Sequence, residues 1–153
     1  MNIRENIDSN YKKSILDKNS AITGTLRLIK SAIKDKDIAV RSTGNNAGIS
    51  DTEILSLLQN LIKQRKDSID SFKVADRKDL IEKEQNEIEI IRTFLPEQKN
   101  EEETRDIVEE LIKSNNLISI KDMGKLMNIV KSKFSGQVDM GLVSKIAKSK
   151  FEN

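Results

Sequence analysis

The residues of this sequence best suited to chemistry are lysines near its carboxyl end. Between Ser119 and Lys150 the chain carries seven lysines against two aspartates, a local charge of +5. Ammonium groups form charge-assisted hydrogen bonds with phosphate, and clustered charge of one sign attracts a polyanion. Solubilising surface is the alternative role of the same charges. The candidate RNA-binding residues in this stretch are Lys121, Gly124, Lys125, Asn128, Lys131, Lys133, Lys145 and Lys148.

Helical periodicity predicts how these residues are displayed. Apolar side chains recur at three- and four-residue intervals, which is typical of one buried helix face, at Met123, Leu126, Met127, Val130 and Phe134. Lys121, Lys125 and Asn128 then fall on the opposite, exposed face. Gly136 is predicted to end this helix with a positive φ, and Asp139 to cap the last helix.

Gly124 interrupts the predicted helix at a cost of about 1 kcal/mol relative to alanine. Two interpretations of this glycine remain open. It can let a neighbouring helix pack closely, which is the favoured interpretation, or it can let a nucleic-acid backbone approach.

The composition excludes several classes of chemistry. The chain contains no cysteine and no histidine, which rules out disulfides, Cys or His nucleophiles, Ser-His triads and the usual zinc sites. No glycine-rich phosphate loop and no isolated Ser-Lys pair is found, so we assign no catalytic residue and expect no cofactor or metal. Glu84, Glu87 and Glu89 are close together, but Lys83 and Arg92 are nearby, which favours a solvated helix face over a metal site.

The binding mode and the location follow from two further features. Aromatic residues make up only 3% of the chain, so stacking on bases is unsupported, and any RNA contact is expected to involve phosphates and 2′-hydroxyls. No apolar run approaches the roughly 20 residues that span a bilayer. The first residues lack the apolar core of a signal peptide, and we expect a cytoplasmic protein without membrane contact.

Few turn-forming residues, with six glycines and one proline, favour an all-α fold. The first helix is predicted from a stripe at Ile3, Ile7, Tyr11 and Ile15, and Ser20 is predicted to cap the second helix, which fades near Val40. A polar loop at residues 42–49 follows. Ser50 and Glu53 form a capping box for a third helix, in which Arg65 is expected on the solvent side. Asp76 is predicted to cap a fourth helix, ending at Leu95.

Pro96, the only proline, predicts a domain boundary because proline disrupts a helix interior. Asn100 and Glu103 are expected to cap the next helix, and Ser119 and Asp122 to start the following one. The predicted fold is therefore an N-terminal bundle of antiparallel helical hairpins, residues 1–95, and a small C-terminal three-helix domain, residues 96–153.

Four segments, in this order, resemble the GatB/YqeY family. They are Leu26–Lys34 (LRLIKSAIK), Ile62–Ile69 (IKQRKDSI), Phe94–Gln98 (FLPEQ), and Asp122–Met127 (DMGKLM) with the later Gly136 and Asp139. The resemblance covers essentially the whole chain. It implies an all-helical N-terminal domain and a small helical C-terminal domain, the latter similar to the tail of the B subunit of the glutamine-dependent aminoacyl-tRNA amidotransferase.

In that enzyme, the resemblance implies, the tail helps to hold tRNA while misacylated Glu- or Asp-tRNA is converted to the amide. Three functional hypotheses follow. The leading hypothesis is a non-catalytic tRNA-binding module associated with this chemistry. The alternatives are an amidotransferase-like carbon–nitrogen ligase, or a subunit of one, with glutamine as amido-N-donor, and a protein-interaction adaptor that uses an apolar groove between the domains. The large catalytic cradle of the B subunit would not fit in 153 residues. Expected partners are tRNA and amidotransferase subunits or a tRNA synthetase, but not DNA.

Overall fold

Helices make up about three quarters of the structure. The computed structural model describes residues 2–152, and this range contains no strand. The prediction of an all-α fold is therefore confirmed. The seven α-helices of the described range are α1 (Ile3–Leu16), α2 (Ser20–Arg41), α3 (Asp51–Val74), α4 (Lys78–Arg92), α5 (Glu101–Ser114), α6 (Met123–Lys133) and α7 (Met140–Glu152), with a 3₁₀ turn at Ile120–Asp122 before α6.

The helices divide between two units, each with a core of its own. The N-terminal unit comprises Met1–Leu95 and the C-terminal unit Pro96–Asn153. In the N-terminal unit, α1 packs against α2 and α3 packs against α4 as helical hairpins. The largest fully buried side chains of this unit are aliphatic, namely Ile7, Leu26, Ile29, Ile54, Leu58 and Ile91.

The apolar stripe predicted on α1 is only partly right. Ile7 is buried, but Ile15 is 49% exposed, and Ser14 is buried instead. An α-helix has 3.6 residues per turn, so a strict four-residue repeat rotates by about 40° at each step and leaves the core face. Ser14 is accommodated because its hydroxyl donates to the Tyr11 carbonyl at 2.7 Å and accepts from the Thr23 hydroxyl at 2.8 Å.

The predicted helix caps have mixed outcomes. Ser50 and Glu53 form the expected capping box at the start of α3. Two other predictions are wrong. The side chain of Asn19, not that of Ser20, accepts the hydrogen bond that caps α2. Asp76 has a φ of +53° in the turn, and Arg77 takes the N-cap position of α4 without a side-chain hydrogen bond.

A group of polar contacts fastens the far end of the 42–49 loop to α1 and α2. The Arg4 guanidinium forms a bidentate salt bridge with the Asp37 carboxylate, with Nη1–Oδ2 at 2.9 Å and Nη2–Oδ1 at 2.7 Å. Arg4 Nη2 also donates to the Ile49 carbonyl at 2.9 Å, and the Ile49 N–H donates to Asp37 at 2.8 Å. We call this group the Arg4–Asp37 latch. Gly48, at φ +90°, lies directly against it.

The C-terminal unit packs α5, α6 and α7 against one another. The apolar face predicted for α6 is correct, since Leu126 and Val130 are fully buried and the other three predicted residues pack against the same core. Gly136 has the predicted positive φ, +72°. Asp139 caps α7 as expected, because its carboxylate accepts from the Gly141 N–H at 2.9 Å.

The Phe94–Gln98 segment has a structural task at the entrance to the C-terminal unit. Gln98 donates from its side-chain amide to the Gly136 carbonyl at 2.6 Å. The backbone N–H of Lys99 donates to the Gln137 carbonyl at 2.7 Å. These bonds tie the segment before α5 to the turn between α6 and α7, and so help to fix the start of the helix that carries the last lysines.

Candidate nucleic-acid interface

The exposed side of α6 carries four of the candidate residues. Successive residues of a helix are rotated by about 100°, which places Gly124, Lys125, Asn128 and Lys131 on the arc away from the buried Leu126 and Val130; all four are exposed. We call this set the α6 face. Lys121 is exposed in the 3₁₀ turn that leads into it.

Asp122, which directly precedes α6, accepts hydrogen bonds from the backbone. Its carboxylate accepts from the N–H groups of Ile118 at 2.7 Å and Ser119 at 3.3 Å. These backbone hydrogen bonds lower the pKa of Asp122, with a smaller contribution from Lys125. Asp122 therefore shapes the start of α6 and forms no ion pair within 4.0 Å with Lys121 or Lys125, as far as the described residues go.

The remaining candidates lie elsewhere on the unit. Lys145 and Lys148 are three residues apart on α7, on the arc opposite the buried Val143, and both are exposed. We call this pair the α7 face. Lys133 is exposed at the last position of α6, about 160° around the helix from Lys131. The structure thus groups the α6 face and the α7 face, and leaves Lys133 apart from the α6 face.

The six candidate lysines have exposed side chains. Across residues 2–152, no carboxylate lies within ion-pair distance of Lys121, Lys125, Lys131, Lys133, Lys145 or Lys148. Lys150 behaves differently, because its ammonium group contacts Glu109 of α5 at 2.5 Å. This hydrogen bond is the main reason that the pKa of Glu109 is lowered. Lys150 therefore joins α5 to α7, whereas none of the six candidates forms such an ion pair within residues 2–152.

Within the described part of the chain, no neighbouring helix packs closely against Gly124. A Cβ built at this residue would meet no atom within 4 Å outside its own local backbone. The favoured interpretation of this glycine is therefore wrong, because the residue faces open space on the α6 face. The approach of a nucleic-acid backbone to Gly124 stays a prediction.

Two of the three clustered glutamates contact an arginine in place of solvent. Arg65 of α3 has a side chain only 12% exposed, and its Nε lies 2.8 Å from Glu87 and 4.0 Å from Glu84. The expected solvent-side position of Arg65 is therefore wrong. Glu89 does lie on the surface, paired with Arg92. In the range that the structure describes, no group of three or more carboxylates is arranged to hold a metal ion.

The sequence interpretation missed a second basic surface, a groove between α1 and α2 of about 410 Å³. Its basic side chains are Arg4, Arg27, Lys30 and Lys34. The α2 residues Arg27, Lys30 and Lys34 repeat at three- and four-residue intervals beside the apolar stripe, which is a visible sequence signal. The wall from α1 was not foreseeable, because it depends on how the hairpin closes.

The sequence matches a known protein family over almost its whole length. Residues 4–151 match the family described as Yqey-like protein. The chain belongs to the YqeY-like family. This confirms the resemblance inferred from its four segments, and the YqeY domain is the one found in the C-terminal region of GatB.

Relatives of this YqeY-like chain occur in yeasts. A protein of Lachancea thermotolerans named "Altered inheritance of mitochondria protein 41, mitochondrial" is 32% identical over 126 residues, covering 78% of this chain and 65% of the relative. The protein of the same name in Saccharomyces cerevisiae is 35% identical over 89 residues, covering 58% and 46%. An uncharacterised Schizosaccharomyces pombe protein is 31% identical over 96 residues, covering 60% and 74%.

The alignments with the first two relatives thus span about two thirds and about half of their lengths. Both are named as mitochondrial proteins. Within residues 2–152 of the YqeY-like chain, no helix combines the length and apolar character needed to cross a bilayer.

Proposed function

We propose that this YqeY-like protein is a non-catalytic module that binds tRNA through the α6 face, Lys121 and the α7 face, in association with glutamine-dependent tRNA amidation. The observation that carries the proposal is the exposure of six lysines without carboxylate partners in the described residues. Unpaired ammonium groups keep their full attraction for phosphate, since no local carboxylate has to be displaced.

Recognition in this proposal depends on charge and shape. The five aromatic side chains are partly buried, and four of them pack against the two cores, namely Tyr11, Phe94, Phe134 and Phe151. A stacking platform for unpaired bases would need exposed rings. A structured RNA with a continuous phosphate surface suits the C-terminal unit better than an unstructured strand, and the kinship with the B-subunit tail makes tRNA the chosen ligand.

The test is tRNA binding as a function of salt, measured by fluorescence anisotropy on the full chain. Phosphate contacts predict a log–log slope of about −0.7 to −0.9 for each contact. Changing Lys121 and Lys125 together to glutamate should reduce the magnitude of the slope by about 1.4 to 1.8. The Lys145→Glu, Lys148→Glu double variant tests the α7 face in the same way.

The matched control is Lys63→Glu with Lys66→Glu, which makes the same charge change on exposed positions of α3. This control should leave the slope within error of the parent protein. Absence of binding at low salt, a flat salt response, or an equal effect of the control and the two test variants would remove the proposal. Gly124→Ala extends the test, because weaker binding by this variant would indicate that the RNA backbone approaches Gly124.

The amidation part of the proposal has a separate test. An amidotransferase subunit or a tRNA synthetase should co-purify with the tagged full chain, and the complex should weaken when nuclease removes a bridging tRNA. Cytoplasmic location belongs to the proposal as well. Imaging of the tagged natural gene product would distinguish it from the mitochondrial location stated in the names of the yeast relatives.

A further inference from the structure

The groove between α1 and α2 has the volume of a small-molecule pocket. Its volume of about 410 Å³ lies within the range of about 300 to 1,000 Å³ that is usual for ligand pockets. Ile7 and Ile33 line it and are almost fully buried. The groove therefore combines an apolar floor with charged walls.

The charges of the groove do not cancel. Four cationic side chains and two carboxylates line it. Both carboxylates are already occupied, because Asp37 is held by Arg4 in the latch and Asp8 accepts from Lys30. Lys30 also lies 5.1 Å from the centre of the Tyr11 ring. Two positive charges remain without a counter-charge from the lining.

These two charges are Arg27 and Lys34, and Ser31 lies between them. The three residues are spaced four and three apart on α2, so they share one face of the helix over about 10 Å. All three are exposed, and no ion pair or hydrogen bond joins their side chains to another part of the described chain. A guanidinium, an ammonium and a hydroxyl are the side-chain donors that bind phosphate oxygens.

We propose that this groove binds a phosphate group, held by Arg27 and Lys34 from the two sides with the Ser31 hydroxyl as a third donor. The small volume favours a phosphate group over an acidic peptide, whose carboxylates would extend along a longer surface. The phosphate is either that of a small phosphorylated molecule or a phosphodiester of RNA. This inference is independent of the lysines of the C-terminal unit.

The experiment titrates the ¹⁵N-labelled full chain with sodium pyrophosphate at constant ionic strength and follows backbone amide shifts. The expected shifts are largest at residues 4–8 and 27–34 and saturate with a single dissociation constant. Changing Arg27 and Lys34 together to glutamine should weaken binding about tenfold or more, since two hydrogen bonds to charged groups are lost. The control, Lys63→Gln with Lys66→Gln, should change affinity by less than about twofold.

Three results would overturn the proposal. Shifts spread over surface lysines without saturation would mean non-specific ion association. Equal weakening by the control would mean that net charge alone governs binding. Displacement of pyrophosphate by a glutamate peptide at a lower concentration would assign the groove to acidic peptides. Because the parent protein is mapped residue by residue, a poorly folded variant does not prevent a decision.

Competition with tRNA then identifies the source of the phosphate. If the source is RNA, pyrophosphate displaces tRNA, and the Arg27→Gln, Lys34→Gln variant reduces the salt slope for tRNA. If the source is a small molecule, this variant loses pyrophosphate binding and keeps tRNA binding. Either pattern supports the site. If the chain does not bind tRNA but still binds pyrophosphate in the groove, only the tRNA proposal fails. The two proposals can therefore be refuted separately.

Discussion

Replacing Gly48 by alanine should destabilise the N-terminal unit more than the same change at Gly44. Both glycines lie in the 42–49 loop, with φ values of +90° and +91°. An L-residue is strained at either position. A Cβ at Gly44 would meet nothing within 4 Å, whereas a Cβ at Gly48 would lie 2.5 Å from Asp37 Oδ1 and 2.8 Å from Arg4 Nη2. Gly44→Ala is therefore a control for backbone strain alone.

The magnitude follows from the contacts of the latch. Backbone strain costs about 1 to 2 kcal/mol at either glycine. A Cβ at Gly48 would displace the ends of the Arg4 and Asp37 side chains, which weakens charge-assisted hydrogen bonds of about 1.5 to 3 kcal/mol each when they are fully protected. The Arg4 and Asp37 side chains are 33% and 19% exposed, and screening by solvent reduces this contribution. We expect Gly48→Ala to cost about 2 kcal/mol more than Gly44→Ala.

The chain provides its own probe for this measurement. It contains one tyrosine, Tyr11, and no tryptophan, so tyrosine fluorescence during urea unfolding reports on the N-terminal unit. A difference of about 2 kcal/mol corresponds to a shift in midpoint of roughly 1 M at a slope of about 2 kcal/mol/M. The double variant Gly48→Ala, Asp37→Ala provides the check, because removal of the carboxylate makes room for the methyl group and should abolish most of the extra cost.

Equal destabilisation by Gly44→Ala and Gly48→Ala would refute the role of the latch, since strain alone would then explain both. Full retention of the extra cost in the Asp37→Ala background would refute the assignment of the clash. Because Arg4 and Asp37 also line the groove, Gly48→Ala should disturb pyrophosphate binding as well, whereas Gly44→Ala should leave it unchanged.

Two further predictions use the same urea assay. The hydrogen bond from Arg4 lowers the pKa of Asp37 below its unfolded value of about 3.9. The latch therefore stabilises the fold above that pH, and this stabilisation is lost as the pH falls through the folded pKa. The loss of unfolding free energy in Asp37→Asn should be largest near pH 7 and shrink below about pH 4. Glu87→Gln should cost about 1 to 2 kcal/mol because Arg65 is largely buried, whereas Glu89→Gln should cost less than about 0.5 kcal/mol at its exposed pair. A constant deficit across pH, or equal costs for the two glutamate variants, would contradict these assignments.

Local pattern predicted much of this fold because the responsible forces act over a few residues. The capping box of Ser50 and Glu53, the turn at Gly136 and the buried face of α6 each depend on neighbours within one or two helical turns. The outward direction of the candidate lysines follows from the same periodicity. Local pattern also fails at Ile15, which belongs to the stripe predicted as buried on α1 but is exposed. A spacing of four residues departs from the helical period of 3.6 after a few repeats.

Contacts between distant residues explain what the sequence did not reveal. Arg4 and Asp37 are separated by 33 residues, and Arg65 and Glu87 by 22, so no helical or turn pattern connects them. Each ion pair removes a cation from the set that could bind an outside anion, because Asp37 neutralises Arg4 and Glu87 neutralises Arg65. The same effect is largest in the groove. Arg4 is paired with Asp37 and Lys30 with Asp8, so Arg27 and Lys34 are the two cations of the lining that have no carboxylate partner there. All three proposed phosphate donors therefore lie on α2, and α1 completes the groove with Arg4, Ile7 and Asp8.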